Sequence, residues 1–158
     1  MAIFMKYDTI TGDVTTQGFE KWIAVSSFQW GVGRGIGSAT SSATSRESST
    51  PSISEIVVSK STDSASVKLM QDGTAGELNH PVTISFTATT KTETLEFLKY
   101  ELENVGLSGY SLSSGGDMPQ ESLSLNFSKV TMTFKGLDPA TQANPQAGGY
   151  DLTTQKGF

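Results

Sequence analysis

Two segments of the sequence alternate apolar and polar residues but change phase partway along. In KWIAVSSFQWGV, residues 21–32, the apolar positions are odd before residues 26–27 and even after them. PQESLSLNFSKVTMTFKG, residues 119–136, changes phase in the same way near residues 128–129. Alternation is typical of a strand with one buried face, and a β-bulge, one inserted residue, exchanges its faces. Because bulges bend strands and small barrels need such bends at their corners, the two segments favour a mainly β fold, a small antiparallel β-barrel.

The segments between these two predict further strands and one short helix. Residues 53–62 and 80–89 are rich in β-branched residues, and the second alternates cleanly. Between them, Asp63 or Ser64 could cap a helix over residues 65–71, about 64–72 with its caps, that ends at Gly73. The tail, residues 137–158, is rich in turn residues and poor in apolar ones. We expect it to wrap the surface with Tyr150 and Leu152 as a small anchor.

Residues 92–112 fit two structures. Leu95, Leu98, Leu102 and Val105 have helical spacing, and the Glu, Leu and Lys around them are helix formers. A strand reading is also open, with Leu98, Tyr100 and Leu102 on one face. Propensity alone favours the helix.

Composition excludes several classes of protein. The net charge is −5 and the 11 Lys and Arg are scattered, whereas nucleic-acid binding needs a clustered basic face. No cysteine is present to form disulfides, thiolate metal sites or nucleophiles. The first residues have neither the basic start nor the apolar core of a signal peptide, and no run nears the roughly 18 apolar residues that span a membrane. We expect one domain over residues 1–158, no nucleic-acid partner and no membrane insertion.

A glycine run, GVGRGIG at residues 31–37, invites comparison with nucleotide-binding loops. The dinucleotide fingerprint Gly-x-Gly-x-x-Gly would need its last glycine at position 36 or 38, which are Ile36 and Ser38. No Gly-Lys-Ser/Thr of a P-loop follows, and a domain boundary here would leave roughly 33 residues upstream, too few for a core. We interpret residues 33–52 as a long extended loop, and loops of this length in compact domains are usually functional or disordered.

Candidate catalytic residues are few. His80 is the single histidine, so a Ser-His-Asp triad would have to use it, yet it precedes Pro81 at a strand start with no hydrolase signature around it. We expect an exposed histidine at a strand edge. Glu101 and Glu103 share one face of the strand reading and are expected in solvent. The sequence therefore predicts no enzyme, no catalytic residue, no cofactor and no metal site.

Four segments in order resemble the Hcp family, the inner-tube proteins of bacterial type VI secretion systems. They are KWIAVSSFQWGVG at residues 21–33, VVSKSTDSASVKLMQDG at 57–73, LENVGLSGYSLSSGGDMPQESLSLNFSKVTMTF at 102–134, and the tail GGYDLTTQKGF, where Tyr150 stands in place of a frequent Trp. The resemblance implies a small barrel with one substantial helix, so residues 92–112 should be strand despite their helix propensity. It also implies hexameric rings that stack into a hollow tube.

The function that the resemblance implies is mechanical. A contractile sheath expels the tube with a VgrG spike at its tip, and the rings carry and shield effector proteins in their lumen. The protein would be cytoplasmic before firing and then outside the cell or inside a target cell, exported without a signal peptide. The loop after Trp30 would contact the adjacent ring. Its candidate ring-stacking residues are Gly33, Arg34, Gly35, Ile36, Gly37, Arg46 and Glu47.

A lumen that passes varied cargo should carry small polar side chains. Ser27 and Gln29 point away from Phe28 and Trp30 on their strand, which makes them the candidate lumen-facing residues. Two alternatives remain open. One is a tube protein of a phage tail or related particle, and the other is a secreted carbohydrate-binding β-domain that uses Trp22 and Trp30, although aromatic residues at alternating strand positions are more often core.

Overall fold

The computed structural model describes residues 1–37 and 48–158, which form twelve strands and two short helices. The first six strands are β1 (Ala2–Tyr7), β2 (Ile23–Val25), β3 (Ser27–Gln29), β4 (Val32–Gly33), β5 (Ser52–Ile53) and β6 (Ile56–Ser61). Helix α1 (Ser66–Ala75) precedes β7 (His80–Thr89), β8 (Thr94–Ser113), β9 (Gln120–Asn126) and β10 (Lys129–Phe134). Helix α2 (Pro139–Ala143), β11 (Gln146–Asp151) and β12 (Lys156–Gly157) complete the chain.

The strands close into a barrel through antiparallel pairs. Strand β1 pairs with β7, β7 with β8, β8 with β9, β9 with β6 and β6 with β3, while β2, just before β3, pairs back with β1. The inward side chains form one buried apolar cluster that includes Met5, Ile23, Val58, Ile84 and Leu123. The predicted small antiparallel barrel is therefore confirmed.

The two changes of phase have a different cause from the predicted bulges. At residue 26 the strand ends, and the chain passes from β2, which pairs with β1, to β3, which pairs with β6. The Ser26 amide donates to the Ser59 carbonyl at 2.7 Å and keeps the backbone bonded through the break. Residues 127–128 separate β9 from β10, which both pair with β8 in one register, while the neighbour on the other side changes from β6 to β11. The pattern located the corners of the barrel correctly, and at each corner the chain changes one neighbouring strand.

Residues 94–113 form one strand, β8, so the helix that propensity favours is wrong and the strand that the resemblance implies is confirmed. The first part of β8 is paired on both sides, by β7 and by β10, and its second part pairs with β9. Helix propensities differ by less than about 1 kcal/mol per residue among ordinary residues. Pairing on two edges and burial of Leu102 and Val105 outweigh them.

A single left-handed residue bends β8 where it passes from one set of partners to the other. Asn104 has a φ of 53°, and its side-chain amide donates to Ser128 Oγ at 2.8 Å. Asparagine tolerates this region, whereas a β-branched residue is strained there. We expect Asn104→Val to lower the free energy of unfolding by about 1–2 kcal/mol and Asn104→Gly to have little effect. Urea unfolding measures both, with Asn126→Val in extended backbone of β9 as the matched control. A loss in Asn126→Val equal to that in Asn104→Val would contradict the explanation by backbone strain.

Helix α1 is longer than predicted. It begins after Ala65 and runs through Gly73 to Ala75, where the Gly76 amide bonds back to the Asp72 carbonyl. Neither predicted cap is the N-cap, which is Ala65 and has no side-chain cap bond. The Asp63 carboxylate accepts a hydrogen bond from the Ala65 amide at 3.0 Å just before the helix, and Ser64 bonds to Asp13. Gly73 lies inside the helix and not at its end, at the point where α1 contacts β8. A Cβ there would lie 3.3 Å from Leu107 Cδ2.

A buried charged cluster attaches α1 to the barrel. Lys60 on β6 and Glu121 on β9 lie opposite each other and both side chains are fully buried. Lys60 Nζ donates to Asp63 Oδ1 at 2.8 Å, to Ser66 Oγ at 3.2 Å and to Glu121 Oε2 at 3.3 Å. Burial alone would raise the pKa of Glu121, but hydrogen bonds from Ser66, Tyr110 and Thr62 and the Lys60 charge lower it overall. The cluster is thus a buried salt bridge whose carboxylate is held in its charged form.

The tail does more than wrap the surface. Strand β11 extends the sheet beyond β10, and β12 pairs with β11. Helix α2, a second helix that the sequence did not predict, lies just before them. Tyr150 and Leu152 pack against the core cluster, so the predicted anchor is present. Gly148 and Gly149 leave room for Phe158 to lie against β11. A Cβ at Gly149 would be 2.5 Å from Phe158 Cζ.

Candidate functional site: an uncharged sheet face and the arm beside it

The outward face of β3, β6, β9 and the second part of β8 consists of small uncharged side chains. The residues next to them along each strand, such as Val58, Leu123 and Leu125, point inward and are buried. Because side chains alternate along a strand, the uncharged set points outward. Four serines lie opposite one another in one row across the strands: Ser27, Ser59, Ser122 and Ser111. The adjacent rows are Gln29, Val57, Ser124 and Gly109, and Ser61, Gln120 and Ser113. We call these eleven positions the serine face.

Hydrogen bonds join side chains across the serine face. The Ser27 and Ser59 hydroxyls bond across β3 and β6, and Gln120 Nε2 donates to Ser61 Oγ at 2.9 Å. None of the positions carries a charge, and the largest apolar side chain among them is Val57. Such a surface offers many weak, adaptable hydrogen bonds and no deep pocket for one ligand.

Charged side chains lie instead on the outward face of the other part of the barrel. On β8, Lys99 Nζ lies 3.1 Å from Glu101 Oε1, and Lys129 on β10 lies 4.0 Å from Glu103 Oε1. Glu101 and Glu103 are exposed, as predicted. The barrel wall is therefore asymmetric, with ion pairs on one side and the uncharged serine face on the other, bordered by Glu55, which accepts a hydrogen bond from Ser108 on β8.

The structure places both sequence-predicted lumen residues on the serine face. Ser27 and Gln29 are exposed, while Phe28 between them packs against the core. The other members were missed because alternation within one strand does not reveal which strands are neighbours. Serines at every second position of β9, in QESLSLN, were the available signal.

The described ends of the predicted loop form a paired ribbon, which we call the arm, residues 31–54. Strand β4 pairs with β5, and farther out the Ser49 amide donates to the Gly35 carbonyl at 2.9 Å. Ile36 forms a bridge with Ser48, so the described part is a ribbon where an unstructured loop was expected. Gly33, Arg34, Gly35, Ile36 and Gly37 are all exposed. Arg46 and Glu47 lie outside the described residues.

An apolar groove of about 290 Å³ lies at the base of the arm. Its walls are Trp30, Val32 and Ile53 on one side and Met132 and Tyr150 on the other. Val32 and Met132 are 61% and 40% exposed, which makes the groove a candidate contact surface.

The aromatic residues of the carbohydrate-binding alternative do not form one platform. Trp22 packs edge-on against Phe19, with ring centroids 5.0 Å apart. Trp30 packs against Tyr100 at 5.6 Å, and its indole N–H donates to the Ser54 carbonyl. The two indoles thus have different partners, and each is half-buried.

His80 is not the exposed edge residue that the sequence predicts. Its side chain is only 18% exposed and lies between two carboxylates. Nδ1 is 2.8 Å from Asp8 Oδ2 and Nε2 is 2.7 Å from Asp72 Oδ1. Partial burial lowers the pKa of His80, but the hydrogen bond with Asp8 and the charge of Asp72 raise it overall. Asp8 and Asp72 are 72 and 8 residues distant in sequence, so no local pattern could predict the cluster.

Within residues 1–37 and 48–158, no group of three or more His, Asp or Glu side chains is placed to hold a metal ion. In that same part of the chain no helix has the length and apolar character to cross a membrane.

Known proteins resemble this chain in sequence pattern and in fold. A family model described as type VI secretion system effector, Hcp, matches residues 4–134. No curated protein sequence matches the chain. A solved type six secretion system protein is 26% identical with a TM-score of 0.88, and the match covers 99% of each chain.

Two further solved structures share the fold. Hcp1 from Salmonella typhimurium is 22% identical with a TM-score of 0.78, covering 99% of this chain and 98% of the other. A type VI secretion system effector from Yersinia pestis is 19% identical with a TM-score of 0.74, covering 94% and 98%.

Proposed function

This chain belongs to the Hcp family of type VI secretion proteins and is a subunit of the secretion tube, and we propose that its serine face lines the lumen of a hexameric ring. The observation that carries the proposal is the asymmetry of the barrel wall. A lumen must let different proteins pass without holding any of them firmly. Uncharged serines suit that task because they neither attract nor repel cargo by its net charge.

The same geometry supports ring closure and stacking. A head-to-tail interface repeated from copy to copy forms a ring when the rotations between successive copies add up to a full turn. The two faces of the ring are then free to stack. The groove at the base of the arm and the exposed Val32 and Ile36 supply apolar contact area for such interfaces. We assign ring stacking to the arm, including Arg34, Arg46 and Glu47.

The remaining partners follow from the tube function. Effector proteins would travel in the lumen, a VgrG spike would cap the tube and a contractile sheath would surround it. The subunit would be cytoplasmic before firing and outside the cell or in a target cell afterwards. Its role is structural rather than catalytic, and we assign it no cofactor.

Negative-stain microscopy of the purified protein tests the ring directly. Six chains of 16.8 kDa, or about 101 kDa by light scattering, should appear as six-fold rings with a central hole. A stable monomer of about 17 kDa that binds glycans would favour the carbohydrate-binding alternative and overturn the proposal.

A bulky residue on the serine face tests the lumen assignment. We expect Gln29→Trp to leave hexamers intact, because the site points away from the core, and to reduce retention of effector cargo by obstructing the lumen. Co-purification of a cargo protein with the ring measures the effect. Glu101→Trp, on the outward charged face of the same barrel, is the matched control and should retain cargo normally. Equal retention by Gln29→Trp and the wild type would count against the lumen assignment.

A further inference from the structure

His80, at the start of β7, forms ion pairs with one carboxylate beside β1 and another in α1. No other described ion pair connects α1 with β1 or β7. Asp8 directly follows β1, Asp72 lies in the last turn of α1, and His80 begins β7. Tyr7 completes the cluster: its hydroxyl donates to Asp72 Oδ2 at 2.6 Å, and its ring lies 5.4 Å from the imidazole. We call Tyr7, Asp8, Asp72 and His80 the histidine clasp.

The geometry of the clasp favours a protonated imidazole. Both ring nitrogens lie within 2.8 Å of a carboxylate oxygen. A neutral imidazole carries one N–H, so one of its nitrogens would present a lone pair to a carboxylate. An imidazolium donates through Nδ1 to Asp8 and places its positive charge next to Asp72 Oδ1, where Nε2 forms an ion pair without hydrogen-bond geometry. The charges of the two carboxylates are therefore compensated only when His80 is protonated.

The end of α1 depends on the same charge. A helix C-terminus carries partial negative charge from its free carbonyls, and an acidic residue there is unfavourable. Asp72 lies in that last turn, and the turn contains no basic residue. Its carboxylate is only 8% exposed, so water compensates it poorly. Protonated His80 supplies the cation that this helix end lacks.

The other ionisable groups around the clasp are few. Lys6 lines a surface hollow beside Asp8, and Glu77, in the connection from α1 to β7, accepts a hydrogen bond from Asn79. On the β8 side, His80 is opposite the apolar residue Val105. Asp8 and Asp72 are thus the groups whose charges act directly on the imidazole.

We propose that the histidine clasp is a pH-sensitive attachment of α1 to the barrel, closed when His80 is protonated and loosened when it is neutral. The direction follows from the balance of charges at His80. Its pKa in the folded chain lies above the ordinary value of about 6.5, so the stabilisation is complete below that pH. It is lost as the pH rises through the folded-state pKa. Mild acid therefore tightens the end of α1 and alkaline conditions release it.

Hydrogen exchange on the purified full-length protein tests the clasp. NMR titration of the imidazole gives the pKa of His80 without ambiguity, because the chain has one histidine. We expect a pKa above about 6.5. Protection of the amides at residues 66–76, corrected for intrinsic exchange, should fall several-fold across that pKa. Amides of β9 in the same molecule serve as the internal control and should show no step.

Two variants decide the interpretation. His80→Gln should show no step in α1 protection between pH 5 and 9. If that variant does not fold, Asp8→Asn keeps the histidine and should move both its pKa and the step to lower pH. A step that persists unchanged in His80→Gln or does not move in Asp8→Asn overturns the proposal, as does titration of His80 in the wild type with constant α1 protection.

Discussion

Lys60→Met should lower the free energy of unfolding by about 3–5 kcal/mol, because it leaves the carboxylate of Glu121 buried without its cation. The Glu121 side chain is fully buried, between β9 and α1, and cannot turn to water without opening the barrel. Methionine replaces the volume of the lysine stem, so the loss reports charge rather than a cavity. The midpoint of urea unfolding measures it.

Lys99→Met is the matched control for this loss. Lys99 also pairs with a carboxylate on an adjacent position of the sheet, but its partner Glu101 is half-exposed. Surface ion pairs contribute about 0–1 kcal/mol, so Lys99→Met should hardly change the free energy of unfolding. Adding Glu121→Gln to Lys60→Met should recover part of the stability, since the buried charge is then removed. Equal losses in Lys60→Met and Lys99→Met would refute the assignment of Lys60 as the buried counter-ion.

Removal of the outer arm should abolish tube assembly while sparing the ring. The design uses the hydrogen bonds between Gly35 and Ser49, where the two sides of the ribbon are already adjacent. Deleting residues 36–48 and joining these two through an Asn-Gly turn keeps β4 and β5 paired, because Asn-Gly suits a two-residue hairpin. The described residues that are removed, Ile36, Gly37 and Ser48, are exposed, so hexamers of about 101 kDa (six chains of 16.8 kDa) should persist.

Assembly is measured as secretion of the protein by a type VI-competent cell and as stacking of purified rings in the microscope. The deletion variant should show neither secretion nor stacking. A single change, Ile36→Ser, gives a graded version, because Ile36 is a half-exposed apolar residue of the arm. Normal secretion by the deletion variant would contradict the stacking role, and loss of the hexamer would assign the arm to ring closure instead.

The sequence predicted those features of the fold that depend on neighbours in the chain. Alternation identified the buried faces of β2, β7 and β9, and the changes of phase located the barrel corners. It misjudged β8, because Glu, Leu and Lys favour a helix locally while β7 and β10 impose a strand from both sides. Local preferences are weak compared with pairing and burial.

The candidate site likewise contains residues that the sequence could identify and residues that only the fold reveals. Ser27 and Gln29 were identified from one strand, whereas Ser59, Ser111 and Ser122 join them only through strand register. The histidine clasp and the Lys60 cluster each bring together residues far apart in the sequence. Their spacing carries no motif, so only the folded chain reveals them.

Strand β8 belongs to both halves of the barrel wall, and this has a mechanical consequence. Its 20 residues pair with β7 and β10 near one end and with β9 near the other. A force along the strand must therefore shear hydrogen bonds to three neighbouring strands at once. In a subunit that is driven forward under load, β8 thus ties the charged wall and the serine face together mechanically.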